Sequence, residues 1–159
     1  MCTGVVVTIV EKRKDGKYKS LFDLTKRIDL RAANKKALEN LALAGGFDSF
    51  TGTTRAQYFH DDGDGITFYE KAIRYGSKFQ ENENSSQVSL FGETSDVQIA
   101  EPVVPPCEDW STMEKLAKEK EVVGIYISGH PLDDFRFEMK YFCNAKLEAL
   151  KNMELHVGK

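Results

Sequence analysis

Cysteine and proline are scarce in this chain of 159 residues, and it has no long apolar run. The three cysteines, Cys2, Cys107 and Cys143, are odd in number and far apart. They make neither a zinc-ligand pattern nor a disulfide framework. A reducing, cytoplasmic setting follows from that. No stretch approaches the ~20 apolar residues that a transmembrane helix needs. Val5-Val6-Val7-Thr8-Ile9-Val10 is far too short, and no basic region precedes it. Neither a membrane partner nor a signal peptide is expected. Catalytic constellations are lacking as well. His130 has no carboxylate pair, cysteine partner or serine nucleophile in matching context, so it reads as a capping or turn-stabilising residue. Asp61-Asp62-Gly63-Asp64-Gly65 misses the spacing of a calcium loop. With Gly65 at the sixth position, His60 would be the first ligand and Lys71 the twelfth. That stretch reads as a polar turn, and neither a catalytic residue nor a metal ligand is expected anywhere.

Charge is present in quantity and unevenly placed. The net charge is −3, yet residues 11–40 hold ten Lys/Arg against five Asp/Glu. The remainder therefore carries −8. A basic first part fits phosphate contact, and equally fits the solvated faces of helices.

Helical signals recur along that first part. Gly4 to Lys14 is rich in β-branched residues but ends without a turn signal, so strand and helix both remain open on pattern alone. Ser20 opens a helix with Asp23 in its first turn. Asn34 caps Lys35 to Ala44, whose Ala37, Leu38, Leu41 and Ala42 share one side. Gly45 is the left-handed residue expected after a helix end. Phe47 and Phe50 bracket Asp48-Ser49, which reads as a further helix start. Helix, Ala44-Gly45-Gly46, helix is the layout of a helix-hairpin-helix unit or of an ordinary helical hairpin. In the former, glycines leave backbone N–H groups free to face a phosphate. Thr54 caps Arg55 to His60, and Ile66 to Gln80 is amphipathic. Lys71, Arg74 and Lys78 lie near one face, against nucleic acid or water.

The middle and the end differ in character. Glu81 to Ser86 has no apolar residue, and three of the four prolines are Pro102, Pro105 and Pro106. Such a segment is expected to be disordered. Within it, Gln87-Val88-Ser89-Leu90-Phe91 offers one amide and two large apolar anchors, to a partner or to its own domain. Ser111-Thr112-Met113-Glu114 is a capping box, starting a helix that Gly129 should end. A second helix should begin near Pro131, with Phe135, Met139 and Phe142 facing the core.

Three blocks in matching order resemble one family, the alpha (polymerase) subunit of bacterial DNA polymerase III. They are Tyr18-Lys19-Ser20-Leu21-Phe22-Asp23-Leu24 through Ala44-Gly45-Gly46-Phe47-Asp48; Gln87 to Gly92; and Glu119-Lys120-Glu121-Val122-Val123-Gly124-Ile125-Tyr126-Ile127-Ser128-Gly129-His130-Pro131-Leu132-Asp133. The resemblance implies helix over Val5 to Arg13. It implies a helix-hairpin-helix region that binds the backbone of duplex DNA through Lys35, Lys36, Gly45, Gly46 and Arg55. It makes Gln87, Leu90 and Phe91 an internal motif for the sliding clamp (beta subunit), with further polymerase III holoenzyme subunits as partners. The family's carboxylate cluster with its two magnesium ions lies upstream, so no cofactor is expected in this segment. The first hairpin keeps only Thr3-Gly4.

The expected architecture is all-α: a helix-hairpin-helix bundle over 1–81, a disordered linker carrying the clamp motif over 82–109, and a small helical hairpin over 110–159 that leads to an OB domain. The expected function is that of a non-catalytic polymerase segment in DNA replication. The alternatives are a free-standing helical adaptor that binds the clamp, and a DNA-modifying enzyme with a helix-hairpin-helix accessory.

Overall fold

A computed structural model describes residues 3–88 and 100–143 of the chain. Those residues form α1 (Thr3–Arg13), α2 (Leu21–Arg27), α3 (Lys35–Leu43), α4 (Arg55–Phe59), α5 (Phe68–Val88), α6 (Thr112–Val123), a 3-10 turn (Asp133–Phe135) and α7 (Arg136–Tyr141). No strand occurs among them; Asp61 and Thr67 make a single isolated bridge. No described helix is long and apolar enough to cross a membrane.

The expected caps are in place. Ser20 Oγ accepts from Asp23 N at 3.2 Å, and Asn34 Oδ1 accepts from Ala37 N at 2.9 Å. Thr54 with Gln57, and Ser111 with Glu114, form capping boxes. Each occupies an amide that the first helical turn leaves without a partner.

The core is built mainly where α2 lies on α5. Leu21, Phe22, Leu24 and Ile28 are buried from one side, and Phe68, Tyr69, Ala72 and Tyr75 from the other. Phe22 meets Phe68 and Tyr75 edge-on at 5.6 and 5.4 Å. Each such side chain contributes about 1.5–3 kcal/mol through removal from water. The helices approach closely because position 76 is glycine. A Cβ there would sit 2.6 Å from Thr25 Cβ and 2.7 Å from its carbonyl oxygen. Gln80 Nε2 donates to the carbonyls of Thr25 and Ile28 at 2.8 and 2.9 Å, closing the end of α2.

Several expectations need correction. Asp48-Ser49 starts no helix; residues 44–51 are turns, and the next helix waits for the Thr54 cap. Phe47 and Phe50 are instead stacked, 5.5 Å apart, as buried plugs under the loop. α6 ends at Gly124, whose φ of 86° closes it, and not at Gly129. Phe135, Met139 and Phe142 face no core among the described residues: they are 51%, 39% and 76% exposed. Their helical spacing is real, but α7 packs on the 3-10 turn beside it and no described surface covers the stripe.

The expected linker over 82–109 differs at both of its described ends. α5 runs through Val88, since a nucleated helix extends cheaply over Glu, Gln and Ser. Residues 100–109 lie on the helical body. Pro105 is buried and accepts from Gln57 Nε2 at 3.0 Å, and Glu101 pairs with Lys26 at 3.0 Å.

Candidate nucleic-acid interface

The hairpin begins with the end of α3. Gly45, at φ 81°, takes the left-handed position. Gly46 N donates to Leu41 O at 2.8 Å, and Gly45 N donates to Ala42 O at 3.1 Å. These six-to-one and five-to-two bonds close the helix in a Schellman motif. The two amides expected to face a phosphate are therefore held by carbonyls of α3. Helix termination wins here because four orphan carbonyls lie within reach of the turn. At Gly45 and Gly46 the phosphate role assigned from sequence is corrected on this ground.

Arg55 is corrected as well. It opens α4, directly after the Thr54 cap, but its side chain turns inward and is only 5% exposed. Nε and Nη2 donate to the Asp48 carboxylate at 2.9 and 2.6 Å, and Nη1 donates to Glu119 Oε1 at 2.8 Å. The guanidinium also covers Gly45, where an added Cβ would fall 2.1 Å from Nη2. Hydrogen bonding to Asp48 and Glu119 outweighs burial and raises the Arg55 pKa. Its charge is spent between two carboxylates and offers nothing to a phosphate.

Glu119 is the partner that sequence reasoning missed. It is wholly buried, three residues after buried Leu116 on the same face of α6. That spacing is the signal that could have singled it out from its charged neighbours. Besides Arg55 it accepts from Ile127 N at 2.7 Å and Ser128 N at 2.9 Å. Burial alone would raise its pKa. The bonds from Ser128, Arg55 and Ile127 outweigh that and lower it to about 2. One carboxylate thus ties together α4, α6 and the turn after Gly124. Trp110 adds an apolar contact, stacked on Phe59 at 5.4 Å.

Lys35 and Lys36 remain at the surface, 57% and 70% exposed, on the first turn of α3. Lys35 reaches Glu70 and Lys36 reaches Glu39. Exposed pairs of this kind hold weakly. Arg74 and Lys78 are exposed too, whereas Lys71 binds Asp62 and Asp64 at 3.1 and 3.0 Å.

The acidic turn at 61–65 is committed internally, as its reading as a polar turn requires. The Asp61 carboxylate accepts from Gly63 N and Gly65 N at 2.8 and 3.0 Å. Asp62 and Asp64 pair with Lys71, whose ammonium, followed by the Ile66 amide, lowers the Asp64 pKa. A magnesium ion does not fit this set: the oxygens are occupied, and a cation already sits among them. His130 is a turn residue. Its Nδ1 accepts from Leu132 N at 3.2 Å, and its own amide donates to Asp133 Oδ2 at 2.7 Å. Gln87 falls in the last turn of α5 by its backbone, while Leu90 and Phe91 lie outside the described residues.

Comparison with known proteins adds a family context. A family model described as helix-hairpin-helix motif matches residues 2–58. The DNA polymerase III subunit alpha of Campylobacter jejuni is 39% identical over 153 residues, covering 92% of this chain and 12% of that protein. The subunit of the same name from Treponema pallidum is 37% identical over 126 residues, 79% of this chain and 10% of its own length. That of Vibrio cholerae is 32% identical over 146 residues, 91% of this chain and 12% of its own length. The chain thus spans about an eighth of the length of the curated relatives it matches.

Proposed function

Because the chain is homologous over nine-tenths of its length to one segment of DNA polymerase III alpha subunits, we propose that it acts in DNA replication as a non-catalytic segment of such a subunit. Continuity carries this reading. The match runs through the helix-hairpin-helix part, the polar middle and the last helices in one piece, which a borrowed DNA-binding motif alone would not produce.

In this reading the first part holds the backbone of duplex DNA, with Lys35 and Lys36 among its cations. Such contacts position a protein on the duplex and carry no sequence information. Gln87, Leu90 and Phe91 bind the sliding clamp. Burying Leu and Phe contributes about 1.5–3 kcal/mol each before ordering costs, which suits a reversible contact. Tethering to a ring on the same DNA raises the local concentration of the polymerase, so a weak motif sustains long synthesis. The last helices place the domain that follows. Catalysis, with its magnesium ions, belongs to another part of the parent polymerase.

The test is binding of the 159-residue chain to a bacterial sliding clamp, beside a Gln87→Ala/Leu90→Ala/Phe91→Ala variant. The wild type should bind, and the variant should lose at least about tenfold, roughly 1.4 kcal/mol. Equal binding by both would remove the clamp half of the proposal. Clamp binding without any parent polymerase sequence in the same reading frame would favour the free-standing adaptor.

A further inference from the structure

α1 and α2 are joined by an exposed turn with five cations in eight positions: Lys12, Arg13, Lys14, Lys17 and Lys19. Among the described residues none of these five side chains enters an ion pair. Lys26, Lys35, Lys36 and Lys71, by contrast, each reach a carboxylate. The acidic side chains interleaved in the turn are Glu11 and Asp15, which leaves it a net +3 over residues 11–19.

The backbone beneath these cations is fixed. Arg27 Nη2 donates to the carbonyls of Lys12 and Gly16, and Nη1 pairs with Asp23 at 3.3 Å. Tyr18 OH donates to Ile9 O at 2.7 Å, and its ring lies 4.6 Å from the Arg27 guanidinium. Gly16, at φ 127°, lets the chain reverse with open space around it. Arg27 is therefore used as an internal clasp, while the other five cations project from a preset frame. Preorganisation of this kind removes the ordering cost of a flexible basic tail.

We infer that this α1–α2 turn, and not the Ala44–Gly46 hairpin, is the main phosphate-contacting surface of the chain, with the backbone of duplex DNA as its ligand. The inference rests on the duplex-DNA half of the proposed function and gives that contact a location. Two observations carry it. The hairpin amides and Arg55 are committed internally, and the turn presents unpaired cations. Its chemistry selects among polyanions. Between Glu11 and Lys17 there is no apolar side chain; the exposed valines Val6 and Val10 lie further back on α1, and a phosphate backbone requires only cations.

The experiment measures binding of the intact chain to a labelled duplex between about 50 and 200 mM salt. Variants are Lys12→Gln/Lys14→Gln/Lys17→Gln/Lys19→Gln and the same four positions changed to Arg. Lys35→Ala/Lys36→Ala serves as comparison, and far-UV circular dichroism confirms equal helicity. Each lost phosphate contact lowers the slope of log K against log salt by about 0.9. The glutamine variant should therefore lose two to four contacts' worth of slope, roughly 2–4 in all, and at least about tenfold in affinity at the lowest salt. The arginine variant should keep both. A glutamine variant with unchanged slope, or a slope lost only with Lys35 and Lys36, would overturn the inference while leaving duplex binding intact. A wild type that binds no duplex would overturn the inference together with the DNA half of the proposed function, and the clamp half would stand or fall on its own assay.

Discussion

Replacing Glu119 tests how the last helices are attached to the first part. The wild-type carboxylate has three donors: Arg55 Nη1 at 2.8 Å, Ile127 N at 2.7 Å and Ser128 N at 2.9 Å. Its pKa falls from 4.5 to about 2 on folding. That difference corresponds to roughly 3 kcal/mol of stabilisation at neutral pH. Breaking a buried pair costs about 3–5 kcal/mol when the remaining charge is orphaned. Here Arg55 keeps Asp48, so the lower end applies. Glu119→Ala should lose about 3 kcal/mol, and Glu119→Gln, which retains an acceptor, about half of that. Urea unfolding at pH 7 measures both. Trp110, the sole tryptophan, reports locally because it stacks on Phe59 just before α6. The sign of the pH dependence follows from a depressed folded-state pKa. Stabilisation is complete above about pH 4.5 and is lost as pH falls towards 2, so the gap between wild type and Glu119→Ala should narrow over that window. A loss below about 0.5 kcal/mol, or a gap independent of pH, would refute the assignment of Glu119 as the tie.

Three further outcomes are expected. Gly76→Ala drives a methyl into the Thr25 backbone at 2.7 Å and should destabilise by about 2–3 kcal/mol in thermal or urea unfolding, with partial recovery in a Thr25→Ala background. Gly45→Ala and Gly16→Ala both demand a positive φ, but only Gly45 is covered by Arg55; each should cost about 1–3 kcal/mol in backbone strain, and Gly45→Ala should in addition displace the Arg55 guanidinium. Burial pushes the Tyr58 phenol up to about 12, against a weak opposing contact with the Thr53 side chain, and its hydroxyl makes no well-formed hydrogen bond among the described residues. Tyr58→Phe should therefore be neutral or stabilising by up to about 1 kcal/mol, and should delete the latest-titrating step in an ultraviolet pH titration.

The helical order of the chain was legible because its signals are local. Ser20, Asn34, Thr54 and Ser111 each sit before an apolar periodic run, and each caps a helix. Gly45 announced the end of α3 for the same reason. The errors came where a local pattern had a non-local partner, or none. Phe47 and Phe50 resemble the opening of a helix, yet as a stacked pair they gain more from filling the space beneath the loop. The stripe of Phe135, Met139 and Phe142 predicted a buried face, and spacing cannot say whether a surface exists to receive it. Arg55 looked like a free cation because nothing within its own helix reveals a carboxylate 64 residues away.

What the sequence determined by itself is the class of structure and its kinship. Capping residues, 3.6-residue periodicity and glycine stops act over a few positions, and the blocks at 18–48 and 119–133 are specific enough to name a family. The tertiary structure alone decided which charges are available. Whether a lysine or arginine faces solvent, closes a loop as Arg27 does, or is buried between carboxylates as Arg55 is, depends on desolvation and on partners brought together only by packing. That is why the basic character of residues 11–40 could be read in advance, while the surface able to meet a phosphate could not.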